Sequence, residues 1–352
     1  MTMKCLHAAA FGRANDVLQM STTDIPKRQK GQILIKIHAC GLTPGDVRML
    51  DGSAALFRMP ENGFPYIPGG DISGIVLEMD EQPDLPFKIG DPIIARWDMM
   101  GVGGIAEYAL VSPEHVFLKP TNANFIEGAA IVNSAAYAVS GVTAAKIKPN
   151  ERVLVLGGSG GLGTFIVQLV RNAGAGYVAC TSTDEELMRS LGVDKVINYK
   201  ESQWWKQSEF QTSEGKFDVV IDCAEGVAGW SRCCESSVLK SGWSGGRWLA
   251  FVHNNWDITA KGYGDICGIL FPPILRGLTS SLCPTSRPKY QMMLAGQTPE
   301  SINEACLLFT EGKFKVVLHG NSVFDFTEIG MKSAFVTMEQ RSGHGNVVIE
   351  IK

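Results

Sequence analysis

Apolar and polar positions change their rhythm once along this chain. From Lys4 to about Pro120 they alternate over short runs broken by proline and glycine, as in Gln32-Ile-Leu-Ile-Lys-Ile-His-Ala39 and Gly74-Ile-Val-Leu-Glu78. Such runs predict strands, and strands this short and this often interrupted suit a small barrel or sandwich. After Pro120, apolar runs alternate with helical spacing. Val153 to Leu156 are four consecutive apolar residues, the pattern of a strand buried on both faces, and Thr164 to Asn172 places Phe165 and Leu169 on the inner side of a helix. The rhythm continues with a strand at 176–180, a helix at 183–191 stopped by Gly192, strands at 195–199 and 217–222, a helix at 226–240 and a strand at 246–252. This order predicts an α/β fold with a doubly wound parallel sheet. Phe271-Pro-Pro-Ile-Leu275 reads as the start of a less regular segment and 299–312 as one helix. The tail returns to a β pattern, and its last run, Gly345-Asn-Val-Val-Ile-Glu-Ile351, is placed to complete the N-terminal sheet.

Between the buried strand and its helix lies Gly158-Ser-Gly-Gly-Leu-Gly163, which fits G-x-G-x-x-G. In that pattern the glycines permit a tight turn, close approach of backbone to a pyrophosphate, and close packing of helix on strand. The helix start adds unpaired N–H groups and a positive dipole end, both suited to an anion. Ligands of doubly wound sheets sit over the carboxyl ends of the strands, which puts Cys180-Thr181, Cys223-Ala224 and Phe251-Val252 near a dinucleotide.

The second strand decides which dinucleotide. A chain that binds NAD usually ends that strand in Asp or Glu to hold the ribose 2′-OH, whereas this one ends it in Thr181-Ser182-Thr183. Hydroxyls can donate to a 2′-phosphate without repelling it, so NADP(H) is expected over NAD. Asp184-Glu185-Glu186 follow at once, and these acids read as the first turn of a helix capped by Thr183 or Ser182.

Composition narrows the rest. The 352 residues suggest two domains, and a formal charge of −4 gives no reason to expect nucleic acid or an anionic membrane as partner. The N-terminal residues lack a signal-peptide core, and the cytosol is the expected compartment. Nine scattered cysteines without C-x-x-C, and six histidines without H-E-x-x-H, point to reduced thiols and to no metal.

Taken together, Gly41-Leu-Thr-Pro-Gly-Asp46, Pro68-Gly-Gly-Asp-Ile-Ser-Gly74, Ile89-Gly-Asp91, Gly104-Ile-Ala-Glu-Tyr108, the glycine turn with Gln168, and Leu191-Gly-Val-Asp-Lys-Val-Ile-Asn-Tyr199 resemble the medium-chain dehydrogenase/reductase superfamily, in particular its zinc-independent branch of quinone-oxidoreductase-like enzymes. The resemblance runs from Lys4 to Lys352. It implies a GroES-like β-rich domain at 1–122 and 314–352, and a Rossmann domain at 123–313. Zinc-dependent members place a cysteine near Thr43 and a histidine at Gly70, and neither is present. The resemblance implies cofactor contacts from Ser159, Gly160, Gly161 and Leu162 at the pyrophosphate. It places Thr181, Ser182, Thr183 and Tyr199 around the 2′-phosphate, Cys223 and Ala224 on the adenosine side, and Phe251, Val252 and His253 by the carboxamide. Tyr199 has a second reading as a buried strand aromatic.

The function expected is hydride transfer from NADPH to a quinone or α,β-unsaturated carbonyl without zinc, with Thr43, Arg48 and Tyr66 as candidates for polarising the substrate. Tyr137 reads as a core aromatic or a proton donor. The alternative is a nucleotide-binding regulatory protein that has kept the pocket and lost turnover. The departures Asn133-Ser-Ala-Ala-Tyr137 and Gly345-Asn346 from the superfamily pattern motivate it. A homodimer is expected through an open edge of the Rossmann sheet, supplied by 307–318 or 267–282.

Overall fold

The computed structural model describes residues 1–55, 63–81, 84–96, 103–254, 259–260, 262–285, 287–293, 296–341 and 343–352, with the side chain of Tyr263 left aside. Two compact units emerge, one of 1–136 with 298–352 and the other of 137–258 with 262–297; three residues near 260 group with the first. In chain order the strands are β1 (Thr2–Ala8), β2 (Leu18–Asp24), β3 (Ile33–Leu42), β4 (Asp71–Glu78), β5 (Pro92–Arg96), β6 (Tyr108–Val111), β7 (Val116–Leu118), β8 (Arg152–Leu156), β9 (Tyr177–Thr181), β10 (Lys195–Ile197), β11 (Val219–Asp222), β12 (Arg247–Ala250), β13 (Lys289–Met292), β14 (Phe324–Asp325) and β15 (Val347–Glu350).

The first unit is the β-rich one. Its main sheet runs β14-β15-β3-β4-β5-β7, with β6 also on β3, and β1 and β2 form an antiparallel ribbon beside it. The last strand of the chain pairs antiparallel with β3, Val347 opposite Leu42, so the tail does close the N-terminal sheet. Leu6, Ile35, Ile37, Leu50, Ile72, Val76, Ile93 and Phe335 fill the interior between sheet and ribbon, all fully or almost fully buried.

Packing moves the unit boundaries away from 122/123 and 313/314. The helix Phe125–Ala130 lies flat on the sheet because glycines make room for it. A Cβ on Gly41 would sit 2.7 Å from the Ala129 carbonyl oxygen, and one on Gly128 would sit 2.7 Å from Ser73 Oγ. Likewise the helix Pro299–Thr310 is tied to the first unit where Asn122 Nδ2 donates to the Phe309 and Thr310 carbonyls at 3.5 and 3.4 Å. The helical run 125–145 is long and apolar enough to cross a membrane, but 56% of its most apolar window is buried inside the protein, which gives it a core role.

The second unit is the doubly wound one. Its sheet is parallel throughout, in the order β10-β9-β8-β11-β12-β13, with the reversal of strand order between β8 and β11. Val153 to Leu156 are wholly buried, as a strand covered on both faces requires, and Trp204, Phe210, Phe217, Trp230 and Trp248 build the core on one side.

Two expectations fail here. The segment opening at Phe271 is not irregular: Tyr263–Leu282 is a 20-residue helix with Pro272 and Pro273 inside it. Neither 307–318 nor 267–282 supplies the sheet edge. The first is a helix end followed by an extended segment bridged at Leu318 to Asn346, and the second is helix, while the edge strand is β13. The sequence Lys-Tyr-Gln-Met is too short and too polar to announce β13, whose register is set by its neighbour, with Trp248 opposite Tyr290.

Candidate active site

In the second unit, the turn after β8 is built by steric exclusion. Gly157 takes a φ of +82°, and a Cβ there would meet Ala224 Cβ at 2.9 Å. A Cβ on Gly158 would press on Cys180 at 2.8 Å, and one on Gly163 would lie 2.1 Å from the Gly157 carbonyl oxygen. These glycines hold the turn against β9, β11 and the following helix. Gly160 is different: nothing but the Gly157 oxygen, 3.6 Å away, would touch its Cβ. It caps the helix Gly161–Asn172, and the first turn of that helix directs unpaired N–H groups toward the same open space. Ser159 is buried and Leu162 only half-buried. A cradle open at Gly160 and closed at Gly157, Gly158 and Gly163 fits a dinucleotide pyrophosphate.

The neighbouring strand ends lock onto this turn. Thr181 is buried; its Oγ1 accepts from Gly157 N–H at 2.8 Å and its carbonyl from Gly158 N–H at 3.0 Å. Its hydroxyl therefore braces the glycine turn rather than standing open at a ribose. Ser182 is also buried, with Oγ accepting from Asp184 N–H at 2.9 Å, and Thr183 is the half-buried member of the three. The cap of the next helix is Asp184, not Thr183 or Ser182: its Oδ1 accepts from Leu187 N–H at 2.9 Å. Its charge also complements the positive end of the helix dipole. Tyr199 lies beyond the end of β10 and is 55% exposed, so the buried strand aromatic is the reading that fails.

At β11, Asp222 is fully buried and its carboxylate gathers the N–H groups of Ala224, Glu225 and Gly226 at 2.7 to 2.9 Å. Burial pushes its pKa up to about 7, against the pull of those donors. The Cys223-Ala224 backbone is thereby shaped into a turn beside Gly157. Burial, then the Asp222 carboxylate, raise the Cys223 thiol well above its usual range, so it stays a neutral wall.

Beyond β12, Phe251 meets the Tyr137 ring edge-on, with centroids 4.7 Å apart, and Gly141 leaves space for it. The Met293 carbonyl accepts from the Tyr137 hydroxyl at 3.2 Å and lies 2.7 Å from His253 Nε2. Tyr137 is thus a packed aromatic whose O–H is directed at backbone. Val252 is buried, and Phe251 and His253 are half-buried.

In the first unit, Thr43 and Tyr66 border a buried polar cluster, and Arg48 lies on the same helix as its Asp46. Thr43 donates to Asp46 Oδ2 from both its N–H, at 2.7 Å, and its hydroxyl, at 2.9 Å, so its hydroxyl hydrogen is directed at Asp46 rather than at a substrate. Arg48 is half-buried on the helix Pro44–Leu50. Tyr66 is buried and its hydroxyl oxygen has no hydrogen-bond partner among the described residues. Burial first, then the charges of Asp46 and Asp51, push its phenol well above the ordinary tyrosine range.

Asp46, Asp71, Arg96 and Asn133 were not legible as a set. Asp71 receives Asn133 Nδ2 at 2.7 Å and faces Arg96 Nε at 3.3 Å, an ion pair whose geometry is not that of a hydrogen bond. Desolvation, then Asp71, push the Asp46 pKa up to about 7. Asn133 reaches Asp71 from a π-helical turn, Ile131–Ala135, an insertion that re-aims side chains within a helix. Its departure from the superfamily pattern was the sequence signal for it.

Residues 29–121 match the alcohol dehydrogenase GroES-like domain, and residues 191–349 match the zinc-binding dehydrogenase family. The mitochondrial NAD(P)H oxidoreductase RTN4IP1 of Danio rerio is 30% identical over 337 residues, covering 91% of this chain and 84% of that protein. The chain belongs to the medium-chain dehydrogenase/reductase superfamily. The 2-methylene-furan-3-one reductase of Solanum lycopersicum is 34% identical over 217 residues, 59% of this chain and 53% of that protein, so this match spans about half of the relative. Among solved structures, the quinone oxidoreductase from Coxiella burnetii superposes with a TM-score of 0.78 at 23% identity, covering 100% of both chains, a likeness of fold. Like these reductases, this superfamily member is a pyridine-nucleotide-dependent oxidoreductase acting on a small molecule.

Proposed function

We propose that this chain reduces a quinone or an α,β-unsaturated carbonyl with NADPH and without zinc. The observation that carries the reading is the donor set at the two superfamily zinc positions. Thr43 offers a hydroxyl already bonded to Asp46, and Gly70 has no side chain. That set does not fit a zinc ion, which is held by thiolate, imidazole or carboxylate groups. Polarising an alcohol for oxidation then has little support, and acceptance of hydride by an already electrophilic substrate has more. The reductases named among the relatives favour the same substrate class.

The cofactor supplies the hydride when bound. The protein's part is to hold it with Ser159, Gly160, Gly161 and Leu162 at the pyrophosphate, Thr183 and Tyr199 about the 2′-phosphate with Thr181 and Ser182 behind them, Cys223 and Ala224 by the adenosine, and Phe251, Val252 and His253 by the carboxamide. Because the Asp184 carboxylate caps its helix, it does not oppose a 2′-phosphate as a ribose-binding acid would. On the substrate side, Tyr66 is the donor we favour: its phenol keeps its proton and its oxygen has no described partner, so it is suited to stabilise a developing oxyanion. Arg48 is the second candidate.

The test is steady-state oxidation of NADPH and NADH with a panel of quinones, enals and saturated alcohols, before and after chelator treatment. Turnover with alcohols that chelation abolishes would defeat the zinc-free reading. Binding of NADPH with no turnover on any acceptor would favour the regulatory alternative.

We further propose a homodimer, now through β13, whose outer edge pairs with no strand among the described residues, and the helix Tyr263–Leu282, which exposes Phe271, Ile274, Leu275, Leu278 and Leu282. Light scattering giving the monomer mass would overturn it. The cytosol remains the proposed compartment, and since relatives carry mitochondrial and chloroplastic names, cell fractionation is the test.

A further inference from the structure

Two prolines in the middle of a helix leave two carbonyls without their usual partners. In Tyr263–Leu282, Pro272 and Pro273 have no N–H to offer the carbonyls four residues earlier, those of Gly268 and Ile269. Those two oxygens are the ones that Asn254 reaches, with Nδ2 donating to Gly268 at 3.3 Å and to Ile269 at 3.1 Å. A primary amide carries two hydrogens, so the donors of Asn254 match the orphaned acceptors in number. Its own oxygen accepts from Arg276 Nη2 at 2.7 Å, one turn past the prolines. Arg276 Nη1 donates to the His253 carbonyl at 2.5 Å and lies 3.4 Å from the Tyr290 hydroxyl. The loop that leaves β12 is thus fastened to the proline helix at both Asn254 and His253.

We infer that Asn254 and Arg276 are positioning residues for the nicotinamide end of the cofactor. Asn254 directly follows Phe251, Val252 and His253, at the carboxyl end of a strand of the doubly wound sheet, where such folds hold their dinucleotide. The inference rests on the carboxamide reading of those three residues. The double proline keeps two acceptors free that an ordinary helix would consume internally, and Asn254 uses them to fix the register of the loop against the helix. His253 is then held from both sides, its carbonyl by Arg276 and its ring against the Met293 carbonyl.

The experiment has one arm without cofactor and one with it. In thermal unfolding, Asn254→Ala lowers the midpoint in the natural chain, and in a Pro272→Ala, Pro273→Ala background, where backbone N–H groups again serve Gly268 and Ile269, the drop shrinks to less than half. Equal drops in both backgrounds would overturn the pairing of Asn254 with the prolines. In calorimetry, Asn254→Ala weakens NADPH at least tenfold while leaving adenosine 2′,5′-bisphosphate, which lacks the nicotinamide end, within twofold. Asn254→Gln, which keeps the amide, recovers part of the loss, and Asn254→Asp, which has no donors, recovers none. Arg276→Lys behaves as a weaker Asn254→Ala. Parallel weakening of both ligands, or of neither, would overturn the positioning role. If the unmutated protein binds NADPH no more tightly than the bisphosphate, the carboxamide reading itself falls and takes the inference with it.

Discussion

The glycine turn separates packing from ligand binding at two residues three positions apart. In Gly163→Ala the new methyl would lie 2.1 Å from the Gly157 carbonyl oxygen and 2.8 Å from that of Gly158, both backbone atoms in a turn fixed by the +82° φ of Gly157. Ordinary contact begins near 3.4 Å, more than an ångström beyond the first of these distances, so helix and strand must part. Overpacking of this kind costs about 1–3 kcal/mol and occasionally more, and with no flexible side chain to yield, the upper end is expected. Gly160→Val meets no such obstacle. Its backbone, at φ −67° and ψ 166°, is in the ordinary β region, and its Cβ would have one neighbour at 3.6 Å. The fold should lose only about 1 kcal/mol, the disadvantage of valine against glycine at a helix cap.

The order reverses for the cofactor. Valine at 160 fills the space through which a pyrophosphate must approach the backbone, and a loss of tenfold or more in NADPH affinity, about 1.4 kcal/mol, is expected. Calorimetric unfolding and NADPH titration on the two variants measure both quantities. A folded Gly160→Val protein that binds NADPH as the natural chain does would refute the placement of the cofactor at this turn. A Gly163→Ala protein as stable as the natural chain would refute the steric argument.

Tyr66→Phe removes a buried hydroxyl that has no described partner, so stability should hold or rise by up to about 1 kcal/mol while kcat/KM for a quinone falls about a hundredfold; a variant of unchanged activity would remove Tyr66 from the site. The folded-state pKa of Asp46, about 7, is raised from the usual 3.8, so its protonated form stabilises the fold below about pH 4, and that contribution is lost as pH rises to 7. Asp46→Asn should accordingly be more stable than the natural chain at pH 8 by a few kcal/mol, since each tenfold change in proton affinity between the folded and unfolded chain is worth about 1.4 kcal/mol, with the gap closing toward pH 4 in denaturant titrations. A gap that widens on acidification would reverse the sign we assign. Thr183→Asp should weaken NADPH more than NADH, because a carboxylate there repels the 2′-phosphate, and equal weakening of both in calorimetry would count against Thr183 as its neighbour.

Local physics made the second unit legible, and its absence hid the polar centre of the first. A strand buried on both faces, such as Val153 to Leu156, and a glycine turn announce themselves within about ten residues, because each residue answers to its chain neighbours. The parallel, doubly wound class of the sheet follows from the same alternation of strand and helix, whereas β13 escaped it. The cluster of Asp46, Asp71, Arg96 and Asn133 comes from four segments, and no periodicity relates them. Even Asp71 alone reads as a turn acid until β5 and the π-turn bring a guanidinium and an amide to it. Thr181 shows a subtler failure: its residue type marks a hydroxyl at the end of the second strand, yet that oxygen serves Gly157, so residue type identifies the position without revealing which way the bond runs.

The proline helix misled for a reason that bears on its use. Propensity counts the two lost N–H groups against Pro272 and Pro273, a cost of about 3 kcal/mol each in an isolated helix. It cannot count a donor pair arriving from Asn254, eighteen and nineteen positions earlier in the chain. The carbonyls that make the segment a poor helix by itself are the ones that bind the loop after β12. A helix of ordinary residues at the same place would use those carbonyls in its own ladder and would have no such acceptors to offer. Local weakness and long-range attachment therefore have a single cause, and substituting the prolines should strengthen the helix while loosening its hold on the loop.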